Sequence, residues 1–331
     1  MRHRARRYLA LLAACAALVT ALSRRRAAGA AGNTTAAPRR GLRLVLLSAP
    51  RSGSTLLVEM LRGHASILMH GEPFHRSDVR GSAKDGFAGN VTVDDEAFAA
   101  RHEDPGQLLE AIAARDRGRR VVGFKLFSKH LDWGNLGVFL GWATHVVLLD
   151  RSNRLAQYAS ICLAQKSNVW AAYPGEDHRA GGLNVSLRAD LFSTWRDHQA
   201  NFSARTREAL AAVDAAQRPS VLELTYEVDL CPAGAARASA LRRVEAFLGV
   251  EAGVATHSAP RLPVKQHPHD LRASVANWAA VAASDAAAPY AALPSGCAPE
   301  RRRLKGRVDW ATKKFHDEAT AFCKEGGPGW L

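Results

Sequence analysis

The first 58 residues contain no acidic side chain, although they hold 11 arginines. The formal net charge of the whole chain is +14. Without this segment the chain keeps 34 basic and 31 acidic side chains, a net charge of only +3. The basic character therefore belongs mostly to the N-terminal segment, which argues against a nucleic-acid-binding face and against a nucleic-acid partner.

The N-terminal segment also lacks a hydrophobic run of full membrane-spanning length. An uncharged, alanine-rich run covers residues 8–23, between two groups of arginines. As a helix this run would span about 24 Å, less than the hydrocarbon core of about 30 Å. Residues 1–23 therefore fit a cleaved signal peptide, a short signal-anchor or a transit peptide, and residues 24–40 form a basic stem of small residues. The arginines at 24–26 disfavour cleavage directly after the run.

Cysteines in C-x-x-C spacing are absent, which argues against zinc or thioredoxin-like chemistry. Cys15 lies in the uncharged run, and the other four cysteines permit two disulfide bonds in three connectivities. Cys162, inside an apolar helical segment, is interpreted as a buried thiol. Four glycosylation acceptor patterns favour the secretory route and a glycoprotein; they begin at Asn33, Asn90, Asn184 and Asn201.

The chain has no G-x-x-x-x-G-K-[ST] loop, the phosphate loop of nucleotide triphosphatases. Its place is taken by a buried strand, a tight turn and a helix start, in the sequence LVLLSAPRSGSTLL of residues 44–57. The N–H groups and the dipole of a helix start attract an anion. Gly53 allows close approach of the backbone, Arg51 adds positive charge, and hydroxyl donors come from Ser52, Ser54 and Thr55. The pattern predicts an anion site that does not bind the triphosphate of ATP.

Short apolar runs alternate with longer helical patterns along the rest of the chain. Strands are predicted at residues 42–48, 120–127, 144–150 and 220–226, and helices at 54–62, 105–115, 153–166, 187–213 and 236–248. This alternation predicts a three-layer α/β/α domain with a central parallel β-sheet. Ligands bind such sheets beyond the carboxyl ends of the strands. Residues 76–104 are predicted to be a surface insertion, and residues 281–300 a loop.

A second strand-to-helix transition follows at residues 145–160. Arg151 stands at the strand end, Asn153 is placed to cap the helix, and Ser160 lies inside that helix. An arginine and a serine converging from these places would form a phosphate clamp. The alternative is a surface arginine and an ordinary helical serine.

Together the two loops resemble the sulfotransferase superfamily, whose members transfer a sulfuryl group from 3′-phosphoadenosine 5′-phosphosulfate (PAPS). The resemblance is greatest to the nodulation-factor and lipopolysaccharide-type carbohydrate sulfotransferases and looser to Golgi carbohydrate enzymes. It covers residues 42–280 and implies a P-loop-like fold for the catalytic domain, residues 41–331. Further segments that fit are HGEPF at 70–74, VGFKL at 122–126, VKQ at 264–266 and NW at 277–278.

The resemblance implies a role for each residue of the donor site. Arg51 would contact the 5′-phosphosulfate and the leaving oxygen, and the N–H groups from Ser52 to Thr55 would cradle the phosphate. Arg151 and Ser160 would hold the 3′-phosphate. Lys265 would add charge to that phosphate, and Tyr226 would lie near the adenine or serve as an ordinary core tyrosine.

The resemblance also implies an acceptor side, where Glu72 is the predicted general base. We expect burial beside Phe74 to raise its pKa, and a surface ion pair with an arginine is the alternative. His70 and His75 are alternative bases, and Lys125 is placed to touch sulfate or acceptor. The spacing of His64, His70 and His75 matches no helical ligand motif, so no metal is expected.

The favoured interpretation is a Golgi single-pass type II sulfotransferase that uses PAPS and a carbohydrate hydroxyl, anchored in the membrane by its N-terminal segment. A secreted or organelle-targeted protein is the alternative location. A nucleotide-dependent kinase and an inactive glycan-binding protein of the same fold are the alternative functions. The missing G-K-[ST] and the missing acidic magnesium motif disfavour the kinase. Tyrosine, lipid and small-molecule acceptors stay open.

Overall fold

The computed structural model describes residues 41–75, 101, 103–114, 116–131, 133–175, 183–232, 234–253, 262–263 and 271–293. The predicted signal segment and stem, most of the predicted insertion at 76–104, and Lys265 lie outside these residues. No helix in the described part of the chain has the length and apolar character needed to cross a membrane.

A five-stranded, all-parallel sheet forms the centre of the described residues. Its strand order is β2-β3-β1-β4-β5, so β1 lies in the middle. The chain runs from β1 to one side of the sheet and returns to the other side through β4. The strands are β1 (Leu42–Ser48), β2 (Ile67–Met69), β3 (Val121–Phe127), β4 (His145–Asp150) and β5 (Ser220–Thr225).

Helices connect these strands, as parallel pairing requires. The main helices are α1 (Ser54–Arg62), α2 (Gly106–Ala113), α3 (Leu136–Trp142), α4 (Arg154–Ser167), α5 (Ala189–Ala212) and α6 (Ala235–Phe247). Two short helices follow, α7 (Trp278–Ala282) and α8 (Ala288–Ala291). A five-residue π-helix, Tyr226–Leu230, directly continues β5, and a 3₁₀ turn, Ser128–His130, directly continues β3.

Alternation along β1 divides the core between the two faces of the sheet. Val45 and Leu47 pack with side chains of α2, α3 and α5, whereas Leu44 and Leu46 pack with side chains of α1 and α6. A strand buried on both faces reads as a continuous apolar run, which explains the LVLL sequence. Helices therefore cover both faces, and the predicted three-layer α/β/α fold is confirmed.

Most predicted elements lie within two residues of the observed ones, but five features differ. The three-residue strand β2 and the helices α3 and α7 were not predicted. The last strand ends at Thr225, and Tyr226 begins the π-helix. The predicted loop at 281–300 contains α8.

Two cysteines of the described residues are oxidised. Cys162, in α4, and Cys231, directly after the π-helix, are both buried and both form disulfide bonds. The interpretation of Cys162 as a buried thiol was therefore wrong. Burial in an apolar helix does not distinguish the two states, because a thiol and a disulfide are both accommodated in a core.

Candidate active site

The turn between β1 and α1 has an unusual backbone. Arg51 and Gly53 have φ angles of 65° and 82°, in the left-handed region. Gly53 is the N-cap residue of α1 and has no side chain to cap the helix. The first N–H groups of α1 are therefore available to a bound anion, as the sequence predicts.

Besides its left-handed φ angle, close packing against a side chain requires a glycine at position 53. A Cβ atom placed there would lie 2.5 Å from a ring carbon of Tyr226, closer than two non-bonded carbon atoms can approach. Tyr226 thus packs directly against the turn from the first residue of the π-helix. The structure brings Tyr226 into the predicted site.

The buried side chain of Gln157 braces the turn from α4. Its Nε2 atom donates to the carbonyl oxygen of Pro50 at 2.8 Å and to Oγ of Ser52 at 2.9 Å. Ser52 and Ser54 are both buried. Gln157 therefore fixes the turn relative to α4, the helix that also carries Ser160. Sequence reasoning did not identify this glutamine, whose position in α4 carries no signal of a contact 105 residues away.

The two predicted anion loops meet through their arginines. Nε of Arg51 donates to Oγ of Ser160 at 3.0 Å, and its guanidinium also donates to the carbonyl oxygen of Trp170. The guanidinium of Arg151 donates to the carbonyl oxygen of Arg51 at 2.9 Å. The structure thus brings Arg51, Arg151 and Ser160 together in one crevice at the carboxyl ends of β1 and β4.

Arg151 is buried and Arg51 is half-buried, and the two cations lie next to each other. Burial, followed by the charge of Arg151, lowers the pKa of Arg51 from 12.5 to about 10. Burial also lowers the pKa of Arg151, although Tyr226 and Glu227 partly oppose this. Two adjacent cations that have lost part of their hydration are stabilised by an anion placed between them, so the crevice favours anion binding.

Glu227 is a further residue of this crevice that sequence reasoning missed. Its carboxylate accepts from the N–H groups of Ser152 at 2.9 Å and Asn153 at 3.1 Å, and lies 3.5 Å from Nε of Arg151. The guanidinium of Arg151 also lies 4.8 Å from the centre of the Tyr226 ring. Glu227 and Tyr226 therefore orient Arg151. The only sequence signal is a glutamate directly after the predicted strand end.

The predicted cap of α4 is confirmed. Oδ1 of Asn153 accepts from the N–H of Ala156 at 2.9 Å. Asparagine in this role is common at helix starts, because its side chain replaces a missing backbone acceptor.

A second group of polar side chains lies at the carboxyl ends of β2 and β3. Nζ of Lys125, on β3, lies 2.9 Å from Oε1 of Glu72. Nε2 of His130, in the 3₁₀ turn, lies 3.3 Å from Oε2 of the same carboxylate. Each oxygen of Glu72 therefore has its own cationic or N–H partner. These partners are a lysine and a histidine, and neither is the surface arginine of the alternative interpretation.

Lys125 connects this group to the first loop. Its ammonium group also donates to Oγ1 of Thr55 at 3.2 Å, in the first turn of α1. The side chain is only 6% exposed. Lys125 thus lies between the predicted donor loop and the predicted base, two regions that are 17 residues or more apart in sequence.

The carboxylate of Glu72 is ionised, contrary to our expectation of a raised pKa. Burial alone would raise its pKa, but Lys125 and His130 together outweigh burial and hold the pKa well below 4.5. Sequence reasoning considered only Phe74 and apolar neighbours. It did not identify His130, and it did not pair Lys125 with Glu72. Both partners come from β3 and the turn after it, which are distant from Glu72 in sequence.

His130 is neutral, with its proton on Nε2. Burial, the largest cause, lowers its pKa from 6.5 to about 4, although Glu72 opposes this. Its Nδ1 atom accepts from the N–H of Phe127 at 3.3 Å. A neutral imidazole that accepts at Nδ1 carries its hydrogen on Nε2. The N–H of His130 is therefore on the nitrogen that lies 3.3 Å from Oε2 of Glu72.

The same hydrogen bonds disfavour metal binding at this cluster. Ligand atoms of Glu72, His75 and His130 lie within 4.8 Å of one another. A ligating histidine normally donates its second nitrogen to an acceptor, whereas Nδ1 of His130 faces an N–H donor. Lys125 also occupies one oxygen of Glu72. The arrangement suits proton transfer better than metal coordination.

The remaining predicted residues lie around these groups. His70 is fully buried, and its N–H donates to the carbonyl oxygen of Gly123 at 2.8 Å, which extends the pairing of β2 with β3. The ring of His75 lies 5.4 Å from that of His130. Asn277 makes two hydrogen bonds with the backbone of Leu187, a structural role outside the crevice.

Comparison with known proteins finds a family match for part of the chain. Residues 43–147 match the family described as Stf0 sulphotransferase. The match supports membership of the chain in the sulfotransferase superfamily, and it supports sulfuryl transfer as the general activity. It includes the first loop, Glu72, Lys125 and His130, and it ends before Arg151 and Ser160. No curated protein matches the chain.

Proposed function

We propose that the protein transfers a sulfuryl group from PAPS to a hydroxyl group, with a carbohydrate as the favoured acceptor. The observation that carries this proposal is the contact between Arg51 and Ser160, which joins the two anion loops. A donor with anionic groups at both its 3′ and 5′ positions needs two such loops side by side. A triphosphate would need only one.

The donor would be held by the crevice of Arg51 and Arg151. Arg51 and the N–H groups of Ser52, Gly53, Ser54 and Thr55 would bind the 5′-phosphosulfate. Arg151 and Ser160 would bind the 3′-phosphate, with Lys265 as a further cation and Tyr226 beside the adenine. The lowered pKa of Arg51 supports this assignment, because a bound phosphate would compensate the two adjacent cations.

Glu72 would be the general base. The acceptor oxygen forms a bond to sulfur while the bond from sulfur to the bridging oxygen breaks. The electron pair of that bond stays on the 5′-phosphate, and the hydroxyl proton passes to Glu72. Arg51 would stabilise the leaving oxygen, and Lys125 would contact the transferred sulfuryl. Glu72 is ionised, as a base must be, and His70 is the alternative base.

A location in the secretory pathway is part of the proposal. Disulfide bonds at Cys162 and Cys231 are typical of oxidising compartments. The acceptor asparagines Asn184 and Asn201 are both exposed. These observations support a glycoprotein of the Golgi lumen, anchored as a type II membrane protein through residues 1–23, with a secreted or organelle-targeted protein as the alternative.

A panel of acceptors tests the proposal. The purified full-length protein is incubated with sulfur-35-labelled PAPS and with glycans, tyrosine peptides, lipids and small phenols. We expect label to appear on a glycan hydroxyl, and we expect Arg51→Ala to abolish it. The exposed Arg242, on α6, provides the matched control Arg242→Ala. Transfer only to a tyrosine peptide, a lipid or a phenol would show that the acceptor is not a carbohydrate. Absence of both transfer and binding of adenosine 3′,5′-bisphosphate would contradict the function.

A further inference from the structure

In the structure, each oxygen of the proposed base has a nitrogen atom beside it. Oε1 of Glu72 is paired with Nζ of Lys125 at 2.9 Å, and Oε2 lies 3.3 Å from Nε2 of His130. A carboxylate accepts a proton most readily through an oxygen that is not paired with a cation. Transfer of the acceptor proton to Glu72 therefore requires one partner to leave.

His130 is fixed in place. Its ring is buried, its Nδ1 accepts from the backbone of Phe127, and it contacts the rings of His75 and Phe127. Lys125 is different, because its long side chain already has a second partner, Oγ1 of Thr55 in the donor loop. Four rotatable bonds allow its ammonium group to turn without movement of β3. Lys125 is thus the partner that can leave.

We propose that Lys125 couples donor binding to activation of the base: its ammonium group pairs with Glu72 in the free protein and turns to the sulfuryl oxygens when PAPS binds. This proposal rests on the proposed function. The turn leaves Oε1 free to accept the hydroxyl proton, while His130 keeps Oε2 and hence the orientation of the carboxylate. The base becomes effective only when the sulfuryl donor is in place.

The coupling has a direct electrostatic consequence. Lys125 and His130 are the groups that hold the pKa of Glu72 low against the effect of burial. Among the described residues, the other titratable or charged groups that face this carboxylate or its neighbour His130 are His75 and Lys129. When Lys125 moves to the donor, burial is opposed by His130 alone. The pKa of Glu72 then rises toward the range in which a carboxylate accepts a proton effectively.

Carboxyl carbon-13 resonances report the pKa of Glu72 directly, without catalytic turnover. Full-length protein labelled at glutamate is titrated with acid in three states: free, with adenosine 3′,5′-bisphosphate, and with PAPS but no acceptor. The resonance that disappears in Glu72→Gln identifies the base. The bisphosphate lacks the sulfuryl group but carries a comparable charge, so it controls for the charge of the nucleotide.

We expect PAPS to raise the midpoint of Glu72 by about 1 to 3 pH units, the usual effect of removing an adjacent opposite charge, and the bisphosphate to raise it much less. In Lys125→Met the midpoint should already be high without ligand, and PAPS should change it little. The exposed Lys166 gives the matched control, Lys166→Met. If Lys125→Met does not fold, the comparison of PAPS with the bisphosphate in the wild-type protein still tests the coupling.

Each other outcome contradicts a definite part of the account. Equal rises with PAPS and bisphosphate, or equal rises in wild-type and Lys125→Met, would overturn the coupling while the donor assignment stands. Binding of PAPS without any rise in the pKa of Glu72 would also overturn the coupling. Failure of PAPS and bisphosphate to bind would contradict the proposed function itself, and the coupling with it.

Discussion

Nε of Arg51 donates a 3.0 Å hydrogen bond to Oγ of Ser160, although 109 residues separate them in the chain. Arg51 belongs to the turn after β1, and Ser160 belongs to the helix after β4. Because β1 and β4 are neighbours in the sheet, the loops that follow them share one edge. A donor bound by one loop is therefore in reach of the other.

Removing Arg151 should weaken binding of adenosine 3′,5′-bisphosphate. The residue is buried and would pair with a phosphate, so Arg151→Ala should cost about 2 to 5 kcal/mol of binding free energy. Ser160→Ala should cost about 1.5 to 3 kcal/mol, the range for a hydrogen bond to a charged group. Calorimetric titration of the full-length protein measures both. Arg242→Ala should bind like wild type, and wild-type affinity in Arg151→Ala would remove that residue from the donor site.

Substitution of Gly53 should disrupt the first loop. Gly53→Ala places a methyl group 2.5 Å from the ring of Tyr226 and forces a left-handed φ on alanine, which costs about 1 to 2 kcal/mol for the backbone alone. We expect a lower melting temperature and loss of bisphosphate binding. The double variant Gly53→Ala with Tyr226→Ala should recover part of the stability, because only the steric clash is relieved.

Gly137 provides the matched control for this change. It lies in α3, and a Cβ there would meet no atom within 4 Å. Gly137→Ala should therefore keep wild-type binding and gain up to about 1 kcal/mol of stability from helix propensity. Similar effects of both substitutions on binding would show that the contact with Tyr226 is not responsible.

The elements that sequence predicts well are those whose pattern is local and long. β1, with its LVLL run, and α1 were predicted with their observed ends. The strand β2 has only three residues, too few to show a period, and it exists because its backbone pairs with β3. The helix α3 buries Leu136, Phe139, Leu140 and Trp142, but seven residues give a weak periodic signal.

The residues of the site also divide into those whose contacts the sequence predicts and those whose contacts it does not. Arg51 and Arg151 stand at strand ends, where topology brings residues together, so their convergence follows from the predicted sheet. The partners of Glu72 could not be found in this way. The contact with Lys125 depends on register between β2 and β3, and the contact with His130 depends on a 3₁₀ turn. The expected direction of the Glu72 pKa was wrong for this reason.

Acid should destabilise the protein partly through His130. Its pKa is about 4 in the folded protein and 6.5 ordinarily, so between these pH values the unfolded chain binds a proton that the folded protein does not. The free energy of unfolding therefore falls as pH falls from 6.5 to about 4. His130→Gln should flatten this fall in urea unfolding experiments. His198→Gln, at a half-buried position, should flatten it less, and an unchanged slope in His130→Gln would contradict a buried neutral imidazole.

Reduction of the disulfide bonds should destabilise the donor site. Cys162 lies two residues after Ser160, and Cys231 lies five residues after Tyr226, so both bonds fix segments that carry donor-site residues. Loss of one native disulfide costs about 2 to 5 kcal/mol. We expect Cys162→Ser to lower the melting temperature and the affinity for the bisphosphate. Reduced wild-type protein that melts and binds like the oxidised form would show that these bonds are not important for the site.

Single-turnover transfer of sulfur-35 from PAPS tests the central claim most directly. With an acceptor that the wild-type protein labels, Glu72→Gln should transfer about 10² to 10⁴ times more slowly, the usual contribution of a general base, while binding PAPS normally. The exposed Glu110 gives the control Glu110→Gln, which should transfer at the wild-type rate. Wild-type transfer by Glu72→Gln would contradict the assigned base, and absence of transfer and of PAPS binding in the wild-type protein would contradict the function.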